Sequence, residues 1–478
     1  MDKYICKTNE NNNFFSIKDE NIEPIDIIAL AILFGVVAVC FMYGDTKAYV
    51  YYIYDFWGSI FEGGGIRNFR EYAYQMFLQY RENGIGEAYA ANYNFSIHLI
   101  LGIWGIPIWL VAKLKGTVGH IDYWMLIYVK ALFVLFALLT AYIVKKVCTN
   151  LKIDKLHSNL AAFLFLSSSL VFTEIGLLGQ IDVLGLPFLL LGIDSFQKGK
   201  YAKFIIFFAI ATTFKQFPFF IFFPLLLLIQ KNVIRIGLDS VLVLGFSKIV
   251  ELPLYHNTEA SVYKDEFSKD ALRVLLGNKI LIYNRDVPLL IILLGVVCIL
   301  CYLKELKDEE ERNQYVIFIS TLSITLVMIS FDNNPYWNLI LAPFYTILIV
   351  YNSEQFKNII LFEIVGMVAL ILSQYSINYW CFDSVFCKGT LLEKIFGNSH
   401  NYITMYRLIS HFDLNEYAGV LYAVFVVCMG GILYISIPGK IQQNSAIGMK
   451  KAVMLRVLIN GIVAFIPIML YIISSILG

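Results

Sequence analysis

The amino-acid sequence predicts an all-α protein that crosses a membrane many times. Hydrophobic residues make up 59% of the chain and charged residues 15%, whereas soluble domains carry about a quarter charged residues. Apolar runs recur along the whole chain and are separated by short polar pieces. The net charge of +1 says nothing about nucleic acid, but the sequence has no basic tract suited to it, so no nucleic-acid partner is expected. We therefore expect one polytopic membrane domain over residues 1–478.

The first apolar run, residues 25–43, is predicted to be a retained membrane helix rather than a cleaved signal. The polar segment 1–25 before it lacks the basic start and apolar run of a signal peptide. About thirteen spans are predicted in all, several of them shorter than the roughly 20 residues that an upright span needs. Their ranges are 26–43, 123–144, 157–175, 182–196, 204–214, 216–230, 236–251, 286–303, 314–331, 337–351, 358–376, 416–437 and 455–476.

The orientation of the chain depends on NFSIHLILGIWGIPIWLVAKL, residues 94–114, which Pro107 and its glycines make a poor uniform helix. If this segment lies at the outer surface, the Lys- and Arg-rich loops all fall on the cytoplasmic side, where such loops collect. If it spans, they all fall outside. The first arrangement is favoured, so we expect a cytoplasmic segment 1–25.

Three long segments are then extracytoplasmic: residues 44–122, 252–285 and 377–415. The first is expected to carry amphipathic interfacial helices, because its aromatic run YYIYDFW suits headgroup depth. We expect the cell membrane as the location, with the functional groups on the outer loops. The Asn, Lys and Ile content with little Pro is typical of an AT-rich bacterial genome.

Asp45 is the first charged residue beyond the first predicted span. A carboxylate held at a helix end near the interface can accept a proton from a sugar hydroxyl as a general base. The alternative is an ordinary helix-end Asp that touches headgroups. Asp55 and Glu62 on the same loop are rival acids.

Cations that can hold a phosphate recur near the predicted outer face. Arg67 and Arg70 follow the flexible GGG at 63–65, and Lys130 interrupts a predicted span, which makes it a functional candidate. Lys215, followed by Gln216, breaks a strongly apolar run at a predicted outer turn and suits a phosphate or sugar hydroxyls. The alternatives are solvated loop cations and lysines that snorkel to headgroups.

Two polar turns complete the predicted site. The stretch GLLGQIDVLGLPFLLLG, residues 176–192, contains Gln180 and Asp182 in an otherwise apolar run, which we place at an outer helix end. The stretch FDNNPYWNLILAPF includes Tyr336, and its aromatic and amide groups suit a sugar site as well as a membrane interface. Neither metal-binding nor nucleotide-phosphate motifs are present, so no cofactor is predicted. Cys381 and Cys387 are either a disulfide in an outer loop or two free thiols.

Several of these pieces follow one another in a familiar order. They are GD at 44–45, GGG at 63–65, NYN at 92–94, VKALFVLFALLTAY at 129–142, GQID at 179–182 and FKQFPFFIFFPLL at 214–226. The first half of the chain thereby resembles the GT-C superfamily of integral membrane glycosyltransferases. It resembles most the bacterial members that use polyprenyl-phosphate sugars, and distantly the mannosyltransferases of the GPI and dolichol pathways.

The resemblance implies transfer of a mannose- or glucose-type hexose, with inversion, from a polyprenyl-phosphate donor to a glycan or lipid acceptor outside the cell. It implies that Asp45 is the base, that Lys130, Lys215 and Arg67 hold the carrier phosphate, and that the GQID turn lines the site. The chain departs from the bacterial pattern late, where NNPYWN stands in place of an E-R-Y motif. A polysaccharide polymerase and a lipid-linked-glycan transporter are the competing predictions, although no internal repeat of the transporter kind is evident.

Overall fold

The protein is almost entirely helical in a computed structural model, which describes residues 22–85, 90–254, 258–331, 334–377, 383–398, 401–439 and 449–477. The all-α prediction is therefore confirmed. The α-helices are α1 (Pro24–Cys40), α2 (Gly44–Phe61), α3 (Phe69–Glu82), α4 (Phe95–Trp104), α5 (Ile106–Lys115), α6 (Tyr123–Asn150), α7 (Lys155–Leu166), α8 (Ser169–Val171), α9 (Leu186–Gln197), α10 (Tyr201–Phe214), α11 (Phe217–Ile229), α12 (Val233–Glu251), α13 (Glu259–Leu275), α14 (Leu289–Leu303), α15 (Glu309–Ile329), α16 (Ala342–Tyr351), α17 (Phe356–Ile377), α18 (Leu391–Phe396), α19 (Met405–His411), α20 (Ala418–Ile435) and α21 (Met449–Leu477).

Shorter elements connect these helices. A π-helix covers Phe172–Leu178. The 3₁₀-helices are Ile66–Asn68, Ile181–Gly185, Leu252–Leu254, Pro335–Leu341, Ser384–Cys387 and Leu414–Tyr417. The strands β1 (Lys279–Ile282) and β2 (Arg285–Pro288) pair antiparallel as a hairpin. The hairpin lies at the end of the predicted outer segment 252–285, for which the sequence predicted no strand.

Six helices, or eight if each bent pair is one span, are long and apolar enough to cross a membrane among the residues described. The six are Tyr123–Asn150, Lys155–Leu178, Glu309–Ile329, Phe356–Ser376, Leu414–Ile435 and Lys450–Leu477. The other predicted spans fall on the bent pair of α1 and α2, on α9, on α12, or on the shorter apolar helices Tyr201–Phe214, Phe217–Ile229, Leu289–Leu303 and Pro335–Tyr351. The protein is thus a candidate multi-pass membrane protein, and thirteen spans remain a prediction.

The segment 94–114, which we expected to be a poor uniform helix, forms two helices. Helices α4 and α5 meet at Gly105 with a bend of 62°, and Pro107 occupies the first turn of α5. A Cβ at Gly105 would lie only 2.4 Å from the side chain of Ile53. Glycine therefore lets the corner pack directly against α2, and the bend is fixed by this contact.

Helix α2, for which the aromatic run predicted an interfacial helix, is largely buried within the protein. It follows α1 at an angle of 77°, and residues on all of its sides are buried. The Tyr52 hydroxyl donates to the Ala90 carbonyl at 3.3 Å and the Tyr54 hydroxyl to the His120 carbonyl at 2.7 Å. Helices α3, α4, α5 and α6 pack around α2. The hydroxyls of Tyr52 and Tyr54 therefore form hydrogen bonds with the protein and do not require lipid headgroups as partners.

Candidate functional site

Four breaks between helices come together at one place, which we call the junction site. They are the turn before α2, the turn at 179–182, the turn at Lys215 between α10 and α11, and the turn at 334–337 before α16. Side-chain contacts join them: Asp45 binds Gln180, Lys215 binds Asp182, and the Lys215 ammonium lies against the ring of Tyr336. The structure thereby brings together five of the eight residues predicted for the site.

Asp45 lies in the first turn of α2, where the helix N-terminus favours a negative charge. The amide nitrogen Nε2 of Gln180 donates to its Oδ2 at 3.1 Å. The Tyr49 hydroxyl, one turn further along α2, donates to Oε1 of Gln180 at 3.1 Å. Because Tyr49 donates to the amide oxygen, the amide nitrogen must face Asp45, and the carboxylate is held in a defined orientation.

Gly179 makes the close approach of this turn to α2 possible. Its φ of +66° is in the left-handed region, which side chains other than glycine rarely adopt. A Cβ there would lie 3.0 Å from Cγ of Lys130 and 3.3 Å from Oγ1 of Thr46. The Thr46 hydroxyl in turn donates to the Leu178 carbonyl at 3.2 Å. The turn is thus fastened to the first turn of α2 by both its side chains and its backbone.

The ion pair of Asp182 and Lys215 forms the second part of the junction site. The Lys215 ammonium lies 5.5 Å from the ring centre of Phe217, 5.7 Å from that of Tyr336 and 5.0 Å from that of Trp337. Such distances are within the range of cation–π attraction. The Tyr336 hydroxyl accepts a hydrogen bond of 2.8 Å from Asn334. A cation beside aromatic faces is an arrangement that suits a sugar attached to a phosphate.

Glu174 is a further acid at this site that the sequence reasoning missed. It lies in the π-helix, is 1% exposed, and its Oε2 has no hydrogen-bond partner. It interacts electrostatically with Asp182 and Lys215. A lone acid within the apolar run 169–178 is the same signal that singled out Lys130, and it would have identified Glu174. π-Helical turns are frequent at functional sites.

The charges of the junction site are unbalanced. Lys215 interacts electrostatically with three acids, Asp182, Asp45 and Glu174. One ammonium cannot neutralise three carboxylates, and burial makes an uncompensated charge costly. The surplus of acids favours proton uptake at this site, which is the property that a general base requires.

Lys130 lies behind the junction site and is enclosed. Its ammonium donates to the carbonyls of Phe41 at 2.6 Å, Leu177 at 3.0 Å and Gly176 at 3.2 Å. Carbonyls at the ends of helices have no partner within the helix, and a lysine can satisfy them. These contacts favour a structural role for Lys130 over the phosphate-binding role that the sequence predicted.

Two other predicted residues are not part of the contacts within the junction site. Arg67 is exposed in the 3₁₀-helix after the GGG bend. Gln216 is exposed at the N-terminus of α11, directly after Lys215. The rival acids are also engaged elsewhere: Asp55 is buried beside Tyr80, and Glu62 is exposed and pairs with Lys113.

Arg70, which the sequence offered as a phosphate ligand, is buried in an ion cluster with Glu251 and Lys264. The Glu251 carboxylate lies 2.6 Å from the Arg70 guanidinium and 2.7 Å from the Lys264 ammonium. Burial, together with the like charge of Arg70, lowers the pKa of Lys264 to about 7. The cluster connects α3, α12 and α13 outside the junction site, and Arg70 is committed to it.

Within the described residues, no three His, Cys, Asp or Glu side chains are grouped so that they could hold a metal ion. Cys387 is buried, whereas Cys381 lies outside the described residues, so their pairing stays a prediction.

Comparison with known proteins gives the site no precedent. The chain matches no protein-family model, and no curated protein or solved structure is significantly similar to it.

Proposed function

We propose that the protein is an inverting membrane glycosyltransferase of the GT-C type, with about thirteen spans. It transfers a mannose- or glucose-type hexose from a polyprenyl-phosphate carrier to a glycan or lipid acceptor of the cell envelope. The observation that carries this proposal is the oriented carboxylate of Asp45 beside the Asp182–Lys215 pair and its aromatic rings. A base, a cation and stacking surfaces are the groups that such a transfer needs.

The proposed step requires little covalent chemistry from the protein. Asp45 takes the proton of the acceptor hydroxyl, and the acceptor oxygen forms a bond to C1 of the sugar from the face opposite the phosphate. The bond between C1 and the phosphate oxygen breaks, and its electron pair leaves with polyprenyl phosphate. Lys215 balances the charge on the departing phosphate, and the rings of Tyr336 and Trp337 face the sugar.

The proposed location is the plasma membrane, with the junction site accessible from the extracytoplasmic side. The N-terminal segment is cytoplasmic and the junction site opens outwards, as the distribution of Lys and Arg favours. A bacterial source fits the composition. The breaks between helices support this setting, since irregular backbone at membrane depth is tolerated where protein covers it.

Transfer can be tested with the full chain in proteoliposomes that contain a radiolabelled polyprenyl-phosphate hexose. The proposal predicts that polyprenyl phosphate accumulates in proportion to labelled product when extracted envelope glycolipids are supplied as acceptors. Movement of intact donor between leaflets, with no cleavage, would contradict the proposal and establish transport. Labelled chains that grow by repeated units from a lipid-linked repeat would identify a polymerase instead.

Transport is the second candidate, and the broken helices favour it. The π-helix carries an acid without a hydrogen-bond partner on one of its oxygens, and interrupted helices with buried ionisable groups are common in transporters. A transporter, however, has no need for a carboxylate oriented by a Tyr–Gln pair. For this reason we rank transfer first.

A further inference from the structure

A surface groove separate from the junction site lies between α13 and the β1–β2 hairpin. Its volume is about 580 Å³, and its lining includes Lys269, Leu272, Arg273, Lys279, Asp286 and Pro288. Three of its four charged side chains are cations. The groove therefore combines an excess of positive charge with an apolar floor.

Among the described residues, strand β1 of the hairpin beside the groove is exposed on both faces, whereas Val287 and Pro288 of β2 are partly buried. All four residues of β1 are exposed, and neighbouring strand residues point to opposite faces. Ile280 and Ile282 are thus exposed on one face and Leu281 on the other. Tyr283 at the turn is 97% exposed. A two-stranded hairpin is marginally stable in water by itself, so these apolar faces need a non-aqueous environment.

The groove and the hairpin lie next to a helix that is suited to a lipid environment. Strand β2 ends at Pro288, which lines the groove, and the apolar helix α14 begins at the next residue. The exposed side chains of α14 are apolar, among them Ile291, Val296 and Leu300. The groove consequently lies at the end of a helix suited to lipid, which is the level of the headgroups.

The charges of the groove favour a lipid headgroup with a negative charge. Lys279 lies 3.9 Å from Asp286, and Arg273 pairs at 2.7 Å with Asp270. These exposed pairs are weak and leave Lys269 and part of the other two cations for a ligand. Neighbouring Lys and Arg residues attract anionic lipids at a membrane surface.

We propose that α13 and the hairpin form a binding site for an anionic phospholipid of the surrounding leaflet. The headgroup phosphate lies among Lys269, Arg273 and Lys279, and the tip of the hairpin, with Leu281 and Tyr283, enters the interface. This site is independent of the proposed transfer reaction, because none of its residues belongs to the junction site.

The cationic part of the proposal can be tested by titrating the purified full chain, in neutral detergent, with fluorescent phosphatidylglycerol. The triple substitution Lys269→Gln, Arg273→Gln and Lys279→Gln should weaken binding at least about tenfold, because each cation near a membrane surface adds to the attraction of an anionic lipid. The matched control replaces three exposed lysines elsewhere, Lys155, Lys203 and Lys307, by Gln and should bind as the unchanged protein does.

Three outcomes would overturn the proposal. They are unchanged binding by the groove variant, an equal loss in the control variant, and equal binding of phosphatidylcholine and phosphatidylglycerol. Displacement by inorganic phosphate at matched concentration would identify a free-phosphate site and would also overturn it.

The hairpin is tested separately with an environment-sensitive fluorophore attached at Tyr283→Cys in anionic nanodiscs. Insertion predicts a blue-shifted emission that is quenched by lipids carrying a nitroxide near the headgroup. Emission as in water, with no quenching, would exclude insertion of the tip.

Discussion

Two lysines close to the junction site illustrate what single residues contribute. Lys130 and Lys215 both interrupt apolar runs, and both were predicted to hold a phosphate. Their partners differ: Lys130 donates to three backbone carbonyls, and Lys215 pairs with Asp182 beneath aromatic rings. Those carbonyls come from breaks in two other helices, which a single sequence does not place next to Lys130.

Substitution of Lys130 by Met should lower the stability of the protein. It leaves buried carbonyls of Phe41, Gly176 and Leu177 without a donor, at about 1–3 kcal/mol for each unsatisfied group. The measurement is the thermal unfolding midpoint in detergent, with Lys145→Met on the same helix as the control. If the unfolding midpoint were unchanged while binding of the polyprenyl-phosphate hexose was lost, Lys130 would be a phosphate ligand instead.

Asp182 and Lys215 should behave as one unit. Lys215→Met leaves the Asp182 carboxylate without its cation, and Asp182→Asn removes the direct ion-pair partner of Lys215, so each should destabilise the protein by roughly 1–3 kcal/mol. The double variant should be more stable than Lys215→Met alone, because Asp182 no longer adds a third carboxylate to Asp45 and Glu174 where the cation is missing, while transfer stays low in all three. A double-mutant cycle of unfolding midpoints measures this coupling. Simple addition of the two losses would show that the pair is not coupled.

At the scale of elements, the apolar runs predicted the helices well and their ends less well. The predicted 182–196 begins with a 3₁₀-helix before α9, and the predicted 157–175 continues through a π-helix to Leu178. Apolar content is similar in α-, 3₁₀- and π-helical turns, so composition cannot separate them. The distinction depends on contacts from other helices.

A break near the middle of the segment 155–178 shows such contacts. Helix α7 ends at Leu166, and α21 supplies partners for the freed carbonyls. Arg456 donates to the Leu164 carbonyl at 2.9 Å, and Asn460 donates to the Ser167 carbonyl at 2.9 Å. Arg456 also pairs with Glu363 of α17. A single sequence gives no indication of which polar residue of a distant helix will satisfy a given break.

The turn at Gly179 tests whether the shape of an element controls the site. Gly179→Ala should lower both stability and transfer, because its φ of +66° and the 3.0 Å approach to Lys130 leave no room for a methyl group. The expected loss of stability is at least about 1 kcal/mol. Gly237→Ala in α12 is the control, since nothing lies within 4 Å of its Cβ position, and it should be neutral or stabilising. Equal behaviour of the two variants would contradict the role of the turn.

At the scale of the whole molecule, the sequence was sufficient for the helical class and for five residues that meet at the junction site. These five, Asp45, Gln180, Asp182, Lys215 and Tyr336, stood out because each is polar or aromatic at a break in an apolar run. The enclosure of α2, the hairpin at 279–288 and the ion cluster of Arg70 could not be predicted. Each depends on packing between segments distant in sequence, for which the local pattern carries no information.

The orientation of the chain is a whole-molecule prediction that labelling can check. In intact cells, a membrane-impermeant maleimide should label Asn398→Cys, in the predicted outer segment 377–415. It should label Lys307→Cys only after the cells are permeabilised. Both positions are exposed, and the parent protein gives the background. The reverse pattern would place the junction site on the cytoplasmic side and would rule out the proposed donor geometry.

The most direct test of the central claim is the turnover of a polyprenyl-phosphate hexose by Asp45→Asn, measured beside Glu62→Gln and Asp55→Asn. Asparagine retains the shape of the carboxylate and removes the base. Our account predicts a loss of at least about 100-fold, the usual contribution of a general base, in a variant that unfolds at the same temperature as the unchanged protein. Glu62→Gln, whose side chain is exposed and paired with Lys113, should retain full turnover. Full turnover by Asp45→Asn, with a loss in Asp55→Asn, would contradict the account and move the base to the interior of α2.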